Sequence, residues 1–359
     1  MNPTVKPSPL ALLPNTYPLG TSIENIAVRA SGELLLTLLN TPHVDQIDPS
    51  QPHPQPATVK DFSTLPIAAA VLGIAEINPG VFAVAAGNYT RGAGPEPGSW
   101  SVWQMGLNAD GNGHPADTIR LIADIPEALF LNGMASLPSS PGNRASASAG
   151  PKDILVGDIH QGLIYHVDTV TGSYHVVVND SLTAAMPHPV FGLLGVNGIH
   201  ADSSASAPSS TTLYFTNTGQ GILAKVPIDP AAGAYDDFAV RGDDVYLVTG
   251  SDNSVEKRSL AHGGSWSPRG RVIVGGNLNN STEMVEPTAC AFGRTEADAH
   301  VLYVVTAGTL ATPINGPRHS RGAGGGVAHE ILAQEAMLQP TTDGGGAFTR
   351  DTGSIFSKM

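Results

Sequence analysis

Six residues spaced roughly 40 to 65 positions apart, Glu24, Leu72, Asn132, Asn197, Asp236 and Glu286, each open a short segment of one pattern. The leading residue is followed usually by a small one, then by Ile, Met, Phe or Thr, then by Ala or His, as in Asn132-Gly133-Met134-Ala135 and Asn197-Gly198-Ile199-His200. Brought to one place, these carboxylates and carboxamides form an oxygen-rich cluster suited to a hard divalent cation, since Ca²⁺ takes about six to eight oxygens and Mg²⁺ keeps several waters. Glu24, Asn197 and Asp236 are then the metal ligands, and Asn132 is a ligand or a substrate contact. Without a metal, Asp236 and Glu286 raise one another's pKa and share a proton, which supplies a general acid and a general base. A third use is structural, with the ring hydrogen-bonded to itself and to water as a plug. The residue types alone leave all three open.

Something must carry six such residues to a common point, and the repeat supplies it. The interval matches the chain needed for a four-stranded propeller blade once loop insertions are allowed. After each opening segment comes a second apolar, β-branched run, at 34–39, 81–86, 154–156, 213–216, 245–249 and 301–306. Third strands follow at 43–47, 99–105, 162–167, 221–228, 254–259 and 326–332, and fainter fourth strands at 119–125, 174–178 and 271–274. The sequence therefore predicts an all-β protein, a six-bladed β-propeller of four-stranded antiparallel blades around a central channel. Residues 1–359 form one domain whose blades open near 24, 72, 132, 197, 236 and 286, with an early segment at 15–21 closing the last blade. Each leading side chain then points at the axis.

Composition agrees and narrows the partners. Charged residues are 14% of the chain, against about 25% in an average domain, while 41 Gly and 29 Pro provide for many turns. A net charge of −13 with only 18 Lys and Arg excludes a phosphate-backbone partner, so no nucleic acid is expected. No apolar stretch of about 18 residues offers a membrane span, and no signal peptide is expected at the amino terminus, so the localisation is left open. The terminal Ser357-Lys358-Met359 resembles the peroxisomal Ser-Lys-Leu address. The single cysteine, Cys290, lies in an apolar strand-like run and reads as a buried thiol. Polar, flexible stretches at 139–150, 202–211 and 320–326 read as surface loops, and 91–98 joins two strands of blade two near the mouth of the channel.

The set Glu24, Asn132, Asn197 and Asp236, in blades one, three, four and five, resembles the divalent-metal ring of the gluconolactonase and regucalcin family of six-bladed propellers. The resemblance implies that a Glu, an Asn and an Asp hold a metal while a further Asn contacts a lactone. Two positions depart from that pattern, Glu24-Asn25-Ile26 where the family has Glu-Gly-Pro, and Asp236-Asp237 where it has Asp-Gly. The stretches Gly73-Ile74-Ala75-Glu76-Ile77 with Val81-Phe82-Ala83-Val84, Leu131-Asn132-Gly133-Met134, and Glu286-Pro287-Thr288-Ala289-Cys290-Ala291-Phe292-Gly293 resemble a fungal branch of that superfamily which includes hetero-Diels-Alderases. Those enzymes join an ortho-quinone methide, derived from a tropolone or polyphenol, to a sesquiterpene alkene such as humulene.

That resemblance implies two hydrophobic small-molecule substrates, and a cycloaddition between neutral partners that needs no cofactor. A divalent cation, Ca²⁺ or Mg²⁺, is an optional occupant. Holding the partners face to face supplies about 7–11 kcal/mol of the barrier, and donors aimed at the quinone-methide oxygen, from Asn132, Asn197 or a protonated carboxyl, lower it further. Forming the quinone methide in place by dehydration needs an acid and a base, for which Asp236, Asp237, Glu286 and His188 are the candidates. The apolar wall is expected from Leu72, Trp100, Trp103, Phe130, Phe191 and Met284, and the alternative activity is a metal-dependent lactonase.

Overall fold

A strand flanked on both sides by other sheets must be apolar on both faces, and six runs of this chain are. In the computed structural model they are the second strands of the blades. The structure describes residues 11–18, 20–65, 68–107, 119–137, 153–189, 192–203, 211–225, 236–241, 244–249, 253–259, 271–275, 286–307 and 327–332. A leading strand, β1 (Ala11–Thr16), precedes blade one, which is β2 (Ile23–Val28), β3 (Leu34–Leu38), β4 (His43–Ile47) and β5 (Ala57–Asp61). Blade two holds β6 (Ala70–Asn78), β7 (Val81–Gly87), β10 (Ser101–Gly106) and β11 (Ile119–Asp124), with a small hairpin, β8 (Tyr89–Thr90) and β9 (Gly94–Pro95), inserted after β7. Blade three is β12 (Leu131–Ser136), β13 (Ile154–Asp158), β14 (Leu163–Val167) and β15 (Tyr174–Asn179). A second hairpin, β16 (Met186–His188) and β17 (Gly192–Leu194), leads into blade four, which is β18 (Val196–Ser203), β19 (Thr211–Asn217) and β20 (Ile222–Lys225). Blade five is β21 (Phe238–Arg241), β22 (Asp244–Thr249), β23 (Ser254–Ser259) and β24 (Arg271–Gly275). Blade six is β25 (Pro287–Phe292), β26 (Val301–Thr306) and β27 (Val327–Leu332).

All strand pairs are antiparallel, and among the described residues there is no helix. The molecule is a β-propeller, and two details differ from the expectation. Blade four shows three strands rather than four, the residues after β20 lying outside the described ones. Closure of blade six comes from β1, paired antiparallel with β27, so the closing segment sits a few residues earlier than 15–21. The two ends of the chain thus share one sheet, and loop closure is completed by ladder hydrogen bonds rather than by a covalent link.

Every residue of β3, β7 and β26 is buried, which is why these segments read as continuous apolar runs. Side chains from adjacent blades interdigitate there, as where Ile23, Leu34 and Leu36 of blade one meet Tyr303 and Val305 of blade six. The outer strand β15 exposes four of its six residues and shows no such run.

The innermost strands share one irregularity. In β2, Ile23 faces Leu38 and Ile26 faces Leu36, so Glu24 and Asn25 together oppose the single residue Thr37. The same extra residue sets Leu72-Gly73 against Ala85, Asn132-Gly133 against Gly157, and Asn197-Gly198 against Thr216. Asp236 and Asp237 share Val248 in the same way, the first donating its N–H to the Val248 carbonyl and the second accepting the Val248 N–H. Such a bulge re-aims a side chain and sharpens the strand's twist, here turning each leading residue toward the axis. Blade six departs from the pattern. Its bulge falls one residue later, between Pro287 and Ala289, and Glu286 stands ahead of β25 in left-handed backbone with φ of 57°.

The small second residue of the motif has a steric cause. A Cβ on Gly73 would lie 2.1 Å from the Asn132 carbonyl oxygen, and one on Gly133 only 1.7 Å from that of Asn197. Each blade's leading carbonyl therefore abuts the glycine of the blade before it, and at Gly198 the contact becomes a hydrogen bond to the Asp236 carbonyl, 3.1 Å long. Gly133→Ala forces two backbones apart and is expected to cost about 3 kcal/mol. Chemical denaturation of the variant checks this, and a stability within 0.5 kcal/mol or so of the parent contradicts the assigned packing.

Candidate active site

Four bulges and the left-handed backbone at Glu286 bring three acidic and two amide side chains to the inner ends of the blades, and water is excluded from most of them. Asn132, Asn197 and Glu286 are buried, and Glu24 is half-buried. Asn132 donates from Nδ2 to Glu24 Oε1 at 2.9 Å and accepts at Oδ1 from Asn25 Nδ2 at 3.2 Å. Opposite them, Asn197 donates from Nδ2 to Asp236 Oδ1 and to Thr218 Oγ1. Thr216 braces this second pair, its hydroxyl donating to the Asp236 carbonyl at 2.6 Å and accepting the Gly198 N–H at 2.8 Å. Each amide thus satisfies one carboxyl oxygen and fixes which way the carboxyl lies.

Burial dominates the electrostatics. It pushes the Glu24 carboxyl up to about 7, against the lowering bond from Asn132, with the nearby charges of Glu286 and Asp237 adding to the rise. Asp236 is held well above the usual carboxylate range, first by burial, then by Glu24, Asp237 and Glu286, and the Asn197 bond only partly offsets this. Like charges crowded in a water-poor site cannot all ionise, so near neutral pH the ring keeps protons on some of its carboxyls. Glu286 is held from outside the ring, its backbone N–H reaching Asn253 Oδ1 at 2.7 Å, and Asn253 itself is left-handed (φ of 52°).

One side of the ring is aromatic. Tyr89, on the β8–β9 hairpin, stacks on Phe130 with ring centres 5.7 Å apart and planes 11° from parallel. Phe130 also meets Trp100 at 5.3 Å and the edge of His160 at 5.0 Å. Leu72 belongs to the same cluster, fully buried with Trp100 and Leu131. Burial pushes the pKa of the Tyr89 phenol up, and the charges of Glu24 and Glu286, within electrostatic reach, add to the rise against the lowering charge of Arg91.

The other expected residues are scattered. Trp103 is on the same strand as Val102 but packs between blades one and two, its Nε1 bonded to Ser101 Oγ at 2.8 Å. His188 sits at the end of β16, where burial lowers its pKa. Asp237 turns between blades four and five, 3.4 Å from His200 Nε2, and its charge is still felt by Glu24 and Asp236. Phe191 and Met284 lie outside the described residues. Cys290 is a free, buried thiol against the Tyr246 carbonyl. Tyr89 and Asn253 escaped the motif reading, while Asn25 and His200 stand inside the motif but were assigned no role by it. Tyr89 left one trace in the sequence, at the edge of the 91–98 loop expected near the mouth.

For a cation, Glu24, Asn197 and Asp236 offer two carboxylates and one amide, all hard oxygen donors. Among the described residues no three His, Cys, Asp or Glu side chains converge closely enough to hold a metal ion. In donor type the set fits a hard cation.

A group whose folded pKa is raised binds its proton more tightly in the folded chain than in the unfolded one. Glu24 therefore contributes stability that is full below its ordinary value near 4.5 and is lost as pH rises through about 7. Melting temperatures measured from about pH 5 to pH 8 are expected to fall more steeply for the parent than for Glu24→Gln. Parallel curves for the two proteins contradict the raised value.

The chain matches no family model. It is 28% identical over 323 residues, 86% of its own length and 89% of the relative's, to a protein of Phoma sp. named as a candidate hetero-Diels-Alderase. A relative of the same name in Sarocladium schorii is 27% identical over 334 residues, covering 83% of this chain and 78% of that one. Among solved structures, the calcium-binding protein regucalcin of Agrobacterium tumefaciens superposes with a TM-score of 0.52 at 14% identity, over 89% of this chain and 92% of its own. No helix of the described residues is long and apolar enough to cross a membrane. The chain is a β-propeller that shares its fold with regucalcin and most of its length with relatives named as hetero-Diels-Alderases.

Proposed function

We propose that this propeller is a pericyclase that joins an ortho-quinone methide to an alkene by hetero-Diels-Alder cycloaddition, at the inner ends of blades one to six. The observation that carries the reading is the juxtaposition of the Glu24 and Asp236 carboxyls, both held above the usual carboxylate range, with the stacked Tyr89, Phe130 and Trp100 rings. The names of the sequence relatives point the same way.

The chemistry asks little of the protein beyond placement. As the electron-rich alkene attacks the exocyclic carbon of the quinone methide, negative charge grows on the ring oxygen and positive charge on the alkene's far carbon. Those two centres then close the new C–O bond. A flat aromatic wall orients the conjugated partner, and confinement of both partners supplies about 7–11 kcal/mol. A neutral carboxyl of Glu24 or Asp236 donates a hydrogen bond to the oxygen as its charge develops. With one oxygen of each carboxyl occupied by Asn132 or Asn197, the other is the place for the proton. A preorganised donor of this kind is worth roughly 10²-fold in rate.

Dehydration of a benzylic-type alcohol in the same site generates the quinone methide. The acid protonates the departing hydroxyl, the C–O bond breaks to release water, and a carboxylate removes the proton of the ring hydroxyl to form the C=O. One protonated and one ionised member of the ring suffice, which is the mixture that the crowding of Glu24, Asp236 and Glu286 produces. A tropolone- or polyphenol-derived methide and a sesquiterpene such as humulene are the substrates we assign.

A second reading, a lactonase using a divalent cation, is favoured by the hard-oxygen character of Glu24, Asn197 and Asp236. When bound, Ca²⁺ or Mg²⁺ would polarise the lactone carbonyl. Chelation separates the two readings. Incubation with EDTA is expected to leave cycloadduct formation unchanged, whereas a lactone-hydrolysing activity abolished by EDTA and restored by Ca²⁺ sinks the pericyclase. With quinone-methide precursor and humulene followed by chiral chromatography, Asp236→Asn and Asn197→Ala are each expected to slow the reaction about 10²-fold without loss of fold. Unchanged rate and stereochemistry in both variants would place the chemistry elsewhere.

A further inference from the structure

We infer that Tyr89 is a substrate-contacting residue, its ring forming with Phe130 the stacking surface for a planar conjugated ketone at the mouth of the channel. The inference rests on the pericyclase reading for the reaction it serves, but on separate observations for its geometry.

The β8–β9 hairpin that carries Tyr89 is an insertion between two strands of blade two and belongs to no blade. Its base is fastened on three sides. The Asn88 N–H reaches Ser99 Oγ at 3.0 Å, Asn88 Nδ2 reaches Glu96 Oε2 at 2.9 Å, and the Glu96 N–H reaches the Asn88 carbonyl at 2.9 Å. Its tip is different. Gly92 and Gly94 are left-handed (φ of 89° and 87°), and no atom of the described residues lies within 4 Å of where a side chain on either would begin. The hairpin therefore stands out from the sheet on a fixed base, which is how a segment is built when it serves the space beside it rather than the core.

Tyr89 faces inward from that hairpin. One face of its ring is covered by Phe130 in near-parallel stacking, yet the residue is only half-buried. Offset stacks with centres 4.5 to 7 Å apart are the favoured aromatic geometry, so a further planar ring can extend the pair. Behind Phe130 lies Trp100, fully buried, whose Nε1 has no hydrogen-bond partner among the described residues. A surface serving stability alone would pack Tyr89 fully and pair its indole neighbour. Tyr89 also lies within electrostatic reach of Glu24 and Glu286, so a flat ligand resting on its ring meets the carboxyl ring at its edge. The phenol donates toward the oxygen of that ligand and strengthens as charge develops there.

The test uses the full chain and tropolone as an inert planar probe. Calorimetric titration of tropolone is expected to show binding weakened at least tenfold in Tyr89→Ala and Tyr89→Leu, and within threefold of the parent in Tyr89→Phe. Turnover of Tyr89→Phe is expected to drop about tenfold. The leucine variant keeps apolar bulk, so the result stands even where the alanine variant unfolds. Equal tropolone binding in the parent and the leucine variant, or no binding by the parent at millimolar probe, overturns the inference. Tyr89-dependent binding in a protein that forms no cycloadduct supports the stacking surface and overturns the reaction assigned to it.

Discussion

One extra residue at the start of each innermost strand governs this molecule. The bulge brings the backbone of one blade against its neighbour, so closely that Gly73 and Gly133 have no room for a Cβ, and the same kink swings the leading side chain out of the sheet toward the axis. Blade packing and site construction are thus one event. A propeller that closed without the bulge would lose the tight inter-blade contact and would return Glu24, Asn132 and Asn197 to alternate in and out of their sheets. Blade six shows the constraint by exception. Pro287 has no N–H to give the ladder, the bulge moves on by one residue, and Glu286 reaches the ring only through a left-handed backbone pinned by Asn253.

How much of this was legible in the residues follows from where each one sits. Second strands announced themselves because both faces are buried between blades, and β26 lies over 301–306 as the apolar run predicts. Third strands such as β4 and β23 were nearly as clear. The outer strand β5, Ala57–Asp61, was not found, since it is largely exposed and carries no apolar period. The leading residues were readable from the repeat, because the steric demand for a small neighbour recurs in three of the blades, at Gly73, Gly133 and Gly198. Tyr89 was not, for the opposite reason. It lies on an insertion that occurs in one blade, and nothing that happens once can be found by looking for a period. Asn253 was hidden likewise, since its role depends on a turn of blade five touching the start of blade six, a contact with no local signature.

The balance of forces in the ring bears on which chemistry suits it. Burial outweighs the bonds from Asn132 and Asn197 for both Glu24 and Asp236, and the remaining carboxylates add to that effect. Negative charge concentrated away from water is relieved in one of two ways, by a cation or by protons. A cation would draw on the oxygens of both carboxyls and amides, whereas in this structure each amide gives an N–H to a carboxyl. Protons need only the carboxyl oxygens that those amides leave over. A ring relieved by protons presents donors that cost little to desolvate and that gain strength when a substrate oxygen becomes anionic. That property is of small use to a hydrolase, which must generate a nucleophile from water. It matches a reaction between two neutral, greasy molecules whose only polar demand is a transient charge on one oxygen. For the reaction proposed above, the aromatic stack beside the ring would meet the remaining requirement, a flat surface on which the conjugated partner is held with one face toward the alkene.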